Sequence, residues 1–380
     1  MPSKRIQQID ASGIRKVFDL ASTLKNPCNL SIGQPDFDTP NPVKQGAIKA
    51  ILGGRNGYTP TQGIPQLREQ VAEHYKRKGA PQEELFITSA VSGAFMLALM
   101  ATCDVGDELL IPDPFFVMWK DLAKVTGITP RLVDTYPNFR WTREAIEAQI
   151  TPRTRAIVLA SPSNPTGVAI SQEEMELIAM VAKEHDLWVI YDEIYETFLY
   201  EGTHLNMSTY YPKTITVGGL SKSHSMTGWR VGWAAGPKEV IQGMLRLQQY
   251  SFVCAPSIAQ WGAVEAMGVA MDQQVAAYKK KRDYMLQHLS GDYEIVKPQG
   301  AFYLFIKAPH GMGGEEFVMR ALEHELILVP GKVFSSKDTH FRLSYAASDE
   351  NLSRGVEILT KLAKFTAASR HFTKVLLVES

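Results

Sequence analysis

Lys222 closes the run Gly218-Gly219-Leu220-Ser221-Lys222, directly after the β-rich stretch Thr214–Val217. Arg230 follows eight residues later, just ahead of the apolar run Val231–Ala235. Two further strand-like runs also end in polar residues. Ala156–Ala160 leads into Ser161-Pro162-Ser163-Asn164-Pro165-Thr166-Gly167, and Trp188–Tyr191 leads into Asp192-Glu193-Ile194-Tyr195. An amide, a carboxylate, a lysine and an arginine therefore gather where strands finish. A lysine in crowded, partly dry surroundings has its charged form disfavoured, so its amine becomes a usable nucleophile. An arginine beside it depresses the lysine further and offers a planar fork to a phosphate. A carboxylate at a neighbouring strand end can stabilise a protonated ring nitrogen.

Singly, each feature has an ordinary explanation. A Ser-Lys pair is a surface turn, Asn-Pro-Thr-Gly is built of turn formers, a lone Asp is a cap, and a lone Arg is a surface ion pair. Their shared order and placement is what carries information. Together they supply what pyridoxal 5'-phosphate requires: a lysine for a Schiff base, an acid facing the pyridine nitrogen and a cup for the phosphate.

The elements that must position this set are legible as alternation. Strands are expected at Leu85–Thr88, Glu108–Ile111, Arg131–Asp134, Ala156–Ala160, Trp188–Tyr191, Thr214–Val217 and Val231–Ala235, with amphipathic stretches such as Ala94–Thr102, Ser171–His185 and Lys238–Tyr250 between several of them. Helices are also expected at Ser12–Leu24, from Asn41 or Pro42 to Leu52, and at Pro65–Lys78. Short β-rich runs alternating with helices predict an α/β fold, with a mostly parallel seven-stranded sheet covered on both faces to give three layers. Such sheets bind ligands beyond the carboxyl ends of their strands. A long helix at Asp272–Leu289 carries Lys279-Lys280-Lys281-Arg282, which reads as a solvated face. After Gly300 the pattern becomes strand Phe302–Lys307, helix Gly314–Glu325, strands Ile327–Val329 and Phe341–Tyr345, and helix Ser348–Phe365. That is a smaller α+β domain.

The chain resembles the fold-type I pyridoxal-phosphate aminotransferases of class I/II, the aspartate-aminotransferase superfamily. The matching motifs are Gly33-Gln34-Pro35-Asp36-Phe37, Tyr58-Thr59-Pro60, Ser163-Asn164-Pro165-Thr166-Gly167, Tyr191-Asp192-Glu193-Ile194-Tyr195, Ser221-Lys222 through Thr227-Gly228-Trp229-Arg230-Val231-Gly232, and Phe341-Arg342-Leu343-Ser344. They cover nearly the whole chain, and the lysine-to-arginine segment is the most specific.

The resemblance implies a role for each position. Lys222 would hold the cofactor and shuttle the substrate's α-proton. Asp192 would pair with the pyridinium nitrogen, and Tyr195 and Asn164 would bond the cofactor's phenolic oxygen. Ser221 and Arg230 would bind phosphate, together with the helix start at Ala90, Val91 and Ser92, where backbone N–H groups matter more than side chains. Phe116 would stack on the ring, with Phe115 as the competing register. Arg342 would grip the substrate carboxylate, helped by Asn164 and the Gly33 N–H. Tyr58 would reach the phosphate in a neighbouring subunit, implying a homodimer with shared active sites. The expected division is an N-terminal segment over residues 1–44 that joins the small domain, a large cofactor-binding domain over 45–275 and a small domain over 276–380. The reaction implied is ping-pong transfer of an amino group from an L-amino acid to a 2-oxo acid. A lyase, decarboxylase or synthase on the same fold is the alternative, and a cofactor-sensing regulator is a remote one.

Composition narrows the partners. Of 380 residues, 45% are hydrophobic and 21% charged, which is ordinary globular material. Forty Lys plus Arg balance forty Asp plus Glu, so a broad nucleic-acid surface is not expected. Cys28, Cys103 and Cys254 form no metal or disulfide spacing, so no metal site is expected. No run of about 18 apolar residues or signal-peptide core is evident, so a cytoplasmic, membrane-free protein is expected. Neither Gly218-Gly219-Leu220-Ser221-Lys222 nor Gly311-Met312-Gly313-Gly314 has the spacing of a nucleotide-phosphate loop. Acid-specific relatives use a second arginine. Apart from Arg246, the segment Leu247-Gln248-Gln249-Tyr250-Ser251-Phe252 offers none, which favours a neutral or aromatic donor.

Overall fold

A computed structural model describes residues 3–7, 9 and 24–364. In chain order its strands are β1 (Cys28–Asn29), β2 (Glu84–Thr88), β3 (Glu108–Asp113), β4 (Thr129–Asp134), β5 (Thr154–Ala160), β6 (Trp188–Asp192), β7 (Thr214–Gly219), β8 (Gly232–Gly236), β9 (Tyr303–Lys307), β10 (Leu326–Ile327), β11 (Val329–Pro330) and β12 (His340–Ser344). Seven of them form the main sheet in the order β2-β8-β7-β6-β5-β3-β4. Ile157, Val158, Leu159, Val189, Ile190, Ile215 and Val217 are fully or almost fully buried, as expected of central strands covered on both faces.

Neighbours β4, β3, β5, β6 and β7 run parallel, whereas β8 is antiparallel to both β7 and β2. This one reversal decides the site. It puts the start of β8 on the same edge as the end of β7, so Arg230 returns to the neighbourhood of Lys222. Thr88, Asp113, Ala160 and Asp192 end their strands on that edge too.

The helices begin where chain chemistry allows. Pro42 and Pro65 occupy the first turn of Asn41–Leu52 and Pro65–Arg77, where a missing N–H costs nothing. Helix Gln172–Glu184 opens on a reciprocal cap between Ser171 and Glu174. Helix Ser257–Ala266 has no counterpart among the expected elements. Its buried residues are Gln260 and the small Ala259, Gly262, Ala263 and Ala266, which let it pack against helix Asn41–Leu52 and leave little amphipathic signal.

The smaller α+β part packs helices Asp272–Leu289, Gly314–Glu323 and Asp349–Ala363 around the antiparallel sheet β11-β12-β9. β1 pairs in parallel with β10, so Cys28 and Leu30 join that core. The single strand expected at Ile327–Val329 is two short ones: Leu326–Ile327 pairs with β1 and Val329–Pro330 with β12. Pro330 has no N–H to extend the ladder. The basic run also differs from a solvated face. Arg282 is buried and donates to Glu201, Asp283 and the Pro298 carbonyl, and Lys281 pairs with Asp36. The helix expected at Ser12–Leu24 lies, apart from Leu24, outside the described residues.

Candidate active site

Beyond the carboxyl edge of the main sheet lies a cavity of about 320 Å³. Gly33, Ala90, Val91, Ser92, Phe116, Asn164, Asp192, Tyr195, Ser221, Lys222, Arg230 and Arg342 all line it. Of the residues singled out from sequence, only Tyr58 stands apart, on a loop with 88% of its surface exposed. Phe116 lines the cavity, whereas Phe115 is buried in the core. Met118, Trp119, Ala160, Ile194, Thr227 and Tyr303 complete the lining. No local motif marks Tyr303: within β9 it looks like any strand aromatic.

Lys222 Nζ donates to the Gly33 carbonyl at 2.7 Å. Burial, then the positive charges of Arg342 and Arg230, bring its pKa down to about 8 against a weaker upward pull from Asp192. Asp192 is pushed the other way, up to about 7, chiefly by burial. The Ile194 N–H bond at 3.0 Å opposes that, Glu193 adds to it, and Lys222 opposes it. Burial also raises Tyr195 well above the usual phenol range, so it stays protonated. Amine and acid thus sit buried in one cavity with their ionisation set by surroundings, the arrangement associated with proton-transfer sites.

One end of the cavity is an anion cradle. Helix Ala90–Thr102 starts there, and Ser89 makes no side-chain cap, so first-turn N–H groups remain available. Arg230, held in left-handed backbone at φ 54°, donates to Ser92 Oγ at 2.9 Å and to the Thr227 carbonyl at 2.9 Å. Ala90 is left-handed as well, at φ 61°. Such strain in non-glycine residues concentrates where structure serves a site. Gly232 permits the close approach: a Cβ there would lie 2.8 Å from the Gly218 carbonyl oxygen and 3.0 Å from Ala90 backbone. Gly232→Ala should therefore destabilise the ligand-free protein by about 1–3 kcal/mol and loosen phosphate binding. Gly228→Ala, with nothing within 4 Å of the new methyl, should do neither. Thermal unfolding of both variants, with and without phosphate, makes the comparison.

The other end is formed by Arg342 of β12. It is buried, donates to Asn164 Oδ1 at 3.0 Å and the Ser31 carbonyl at 2.9 Å, and lies 4.5 Å from both the Tyr303 and Phe334 ring centres. Its Nε has no partner, and no carboxylate of the described residues forms an ion pair with it. A buried guanidinium with donor capacity to spare calls for an anionic ligand. The cavity as a whole sets Lys222, Arg230 and Arg342 against Asp192. An amine of lowered pKa, a buried acid, an uncapped helix start beside an arginine and an unfilled guanidinium fit pyridoxal 5'-phosphate together with a carboxylate substrate.

Comparison with known proteins agrees. Residues 25–359 match the aminotransferase class I and II family, and the chain belongs to that family. It is a transaminase, acting on amino acids and oxo acids. It is 39% identical over 369 residues to the probable N-acetyl-LL-diaminopimelate aminotransferase of Bacillus subtilis, covering 93% of this chain and 94% of that one. It is 34% identical over 381 residues to aromatic-amino-acid aminotransferase 2 of Thermococcus litoralis, covering 95% and 98%. Among solved structures, the aspartate aminotransferase of Thermus thermophilus with maleate superposes with a TM-score of 0.88 at 36% identity, covering 95% and 99%. No helix among the described residues is long and apolar enough to cross a membrane.

Proposed function

We propose that this chain uses pyridoxal 5'-phosphate, carried on Lys222, to move the amino group of a neutral or aromatic L-amino acid to a 2-oxo acid. The observation that carries the reading is the meeting of Lys222, Asp192 and Arg342 in one cavity with an anion cradle at its far end. When bound, the cofactor supplies an aldehyde for the amino nitrogen and a protonated ring that accepts the electron pair left by the departing α-proton. The chain's residues do the rest. Arg342 holds the substrate α-carboxylate as a fork, with Asn164 and Gly33 fixing its direction. Asp192 would keep the ring nitrogen protonated. Tyr195 and Asn164 would bond the phenolic oxygen, and Phe116 would offer its face to the ring. Ser221, Arg230 and the N–H groups of Ala90, Val91 and Ser92 would hold the phosphate. Lys222 Nζ would be the group that takes the substrate's α-proton and gives it back, and amino transfer in two half-reactions would show as ping-pong kinetics.

The donor class follows from charge. Each of the three cavity cations already has a role, and the remaining wall of Phe116, Met118, Trp119, Ile194 and Tyr303 offers aromatic and aliphatic contact. Among the described residues of one chain, a buried side-chain carboxylate would find no free cation in this wall. Aromatic and aliphatic donors should therefore exceed aspartate and glutamate in kcat/KM by about tenfold or more, equivalent to one unpaired buried charge discounted for partial solvation. A panel of amino donors against several oxo acids, followed by the cofactor's spectral change, measures this. Preference for aspartate or glutamate would overturn the donor class and leave the chemistry standing.

A homodimer in the reducing cytoplasm belongs to the same proposal. Ile51, Leu52, Tyr58, Tyr250, Phe252 and Val253 are exposed on neighbouring segments, tied together by Gln248 donating to the Thr61 carbonyl and Ser257 to the Arg55 carbonyl. A second copy would cover this apolar face and bring Tyr58 to its neighbour's phosphate. The three cysteines are unpaired.

A further inference from the structure

Tyr303 does more than line the apolar wall: it contacts both Tyr195 and Arg342. It is fully buried and lines the cavity. Its hydroxyl lies 2.8 Å from the Tyr195 hydroxyl, with the rings edge to face at 82°. Its ring lies 4.5 Å under the Arg342 guanidinium. Gly33 makes room for it, since a Cβ on Gly33 would stand 3.0 Å from the Tyr303 hydroxyl. The same Gly33 accepts the Lys222 hydrogen bond through its carbonyl. One phenol thus bears on the groups proposed to meet the cofactor's phenolic oxygen, the substrate carboxylate and the amine.

Resting on the proposed function, we infer that Tyr303 is a positioning residue: its hydroxyl orients the Tyr195 hydroxyl toward the cofactor oxygen, and its ring holds the Arg342 guanidinium flat for the carboxylate. Two phenols at 2.8 Å share one proton between their oxygens. Either hydroxyl can donate to the other; once the Tyr195 proton turns to an acceptor in the cavity, Tyr303 becomes the donor between them, and an O–H whose oxygen already accepts a hydrogen bond is a stronger donor. The charged and titratable groups facing this pair are Asp192 on β6, Lys222 on the β7–β8 loop, Arg342 on β12 and Tyr345 just after it. Burial holds both phenols neutral across the working range, so neither titrates there itself. Their influence is through orientation and donor strength.

The hydroxyl and the ring separate by substitution. Tyr303→Phe keeps the ring and the core volume but removes the shared proton. The holoenzyme variant should bind substrate with KM changed less than about twofold, while the pH midpoint of its bound-cofactor absorbance rises by roughly 0.3–1 unit. That is the size of one lost neutral hydrogen bond, and the sign follows because a weaker Tyr195 donor stabilises the cofactor's phenolate less. Tyr303→Met removes the ring as well and should raise donor KM on the order of tenfold. A parent enzyme with a titrating band and a phenylalanine variant with the same midpoint would overturn the hydroxyl role. An unchanged KM in Tyr303→Met would overturn the ring role. A parent enzyme with no cofactor band would overturn the proposed function, and the inference with it.

Discussion

Replacing Lys222 with alanine should lower kcat for transamination on the order of 10⁴-fold, the upper range for a positioned proton carrier, while leaving the protein folded. The loss is large because one nitrogen does two jobs. In the proposed mechanism Lys222 would attach the cofactor, and its freed amine would then carry the α-proton. The geometry suits the second task because burial and two arginines have already brought its pKa to about 8, close to working pH, where Brønsted behaviour favours a catalyst. The fold should survive because the side chain's one protein hydrogen bond is to the Gly33 carbonyl and removing a buried cation relieves a desolvation cost. The proposed phosphate contacts of Arg230 and the helix start do not involve this side chain, so the variant should still bind the cofactor non-covalently. Lys222→Arg should not rescue the rate, because a guanidinium stays protonated. Parent-level turnover in Lys222→Ala would remove the basis of the mechanism.

Asp192→Asn should separate stability from activity. Activity should fall on the order of 10²–10³-fold, as for loss of one preorganised electrostatic contact, because an amide cannot hold the ring nitrogen's proton. Stability of the ligand-free protein should change in the opposite direction. Asp192 ionises near 3.8 in an ordinary setting but near 7 in the fold, chiefly through burial. Between those values the folded state binds the proton and the unfolded state has lost it, so stability falls as pH rises from about 4 to 7 and stays low above. The asparagine variant lacks that loss. Its ligand-free thermal midpoint should exceed the parent's at pH 8, with the gap closing toward pH 4. Cofactor binding should reverse the order, since the carboxylate then gains a cationic partner that the amide cannot use. Equal midpoints for parent and variant at pH 8 would show that the burial of Asp192 is not what sets its charge.

Much of this site was readable from residue types because its members are tied to strand ends. Thr214–Val217, Trp188–Tyr191 and Ala156–Ala160 are short, apolar and β-branched, so the sheet edge and the polar residues just beyond it could be placed together. Strand-forming residue types do not encode strand direction. Only pairing shows that β8 runs antiparallel, and that reversal is why Arg230 meets Ser92. Tyr303 and Phe334 escaped for a related reason. Their contacts with Arg342 cross between strands or from strand to loop, and no local spacing encodes them. Arg282 shows the converse failure: a basic run looks solvated until Glu201, far away in sequence, supplies a buried partner. Helix Ser257–Ala266 was hidden because it packs through small residues rather than an apolar stripe. Tyr58 stands out by motif alone; it is exposed, and the role proposed for it requires a second subunit.

The most direct measurement is borohydride reduction of the holoenzyme followed by peptide mapping. A stable pyridoxyl label on the peptide containing Ser221-Lys222, and its absence in Lys222→Ala, is the expected result. A label on another lysine, or none in an active preparation, would contradict the central claim that Lys222 carries the cofactor.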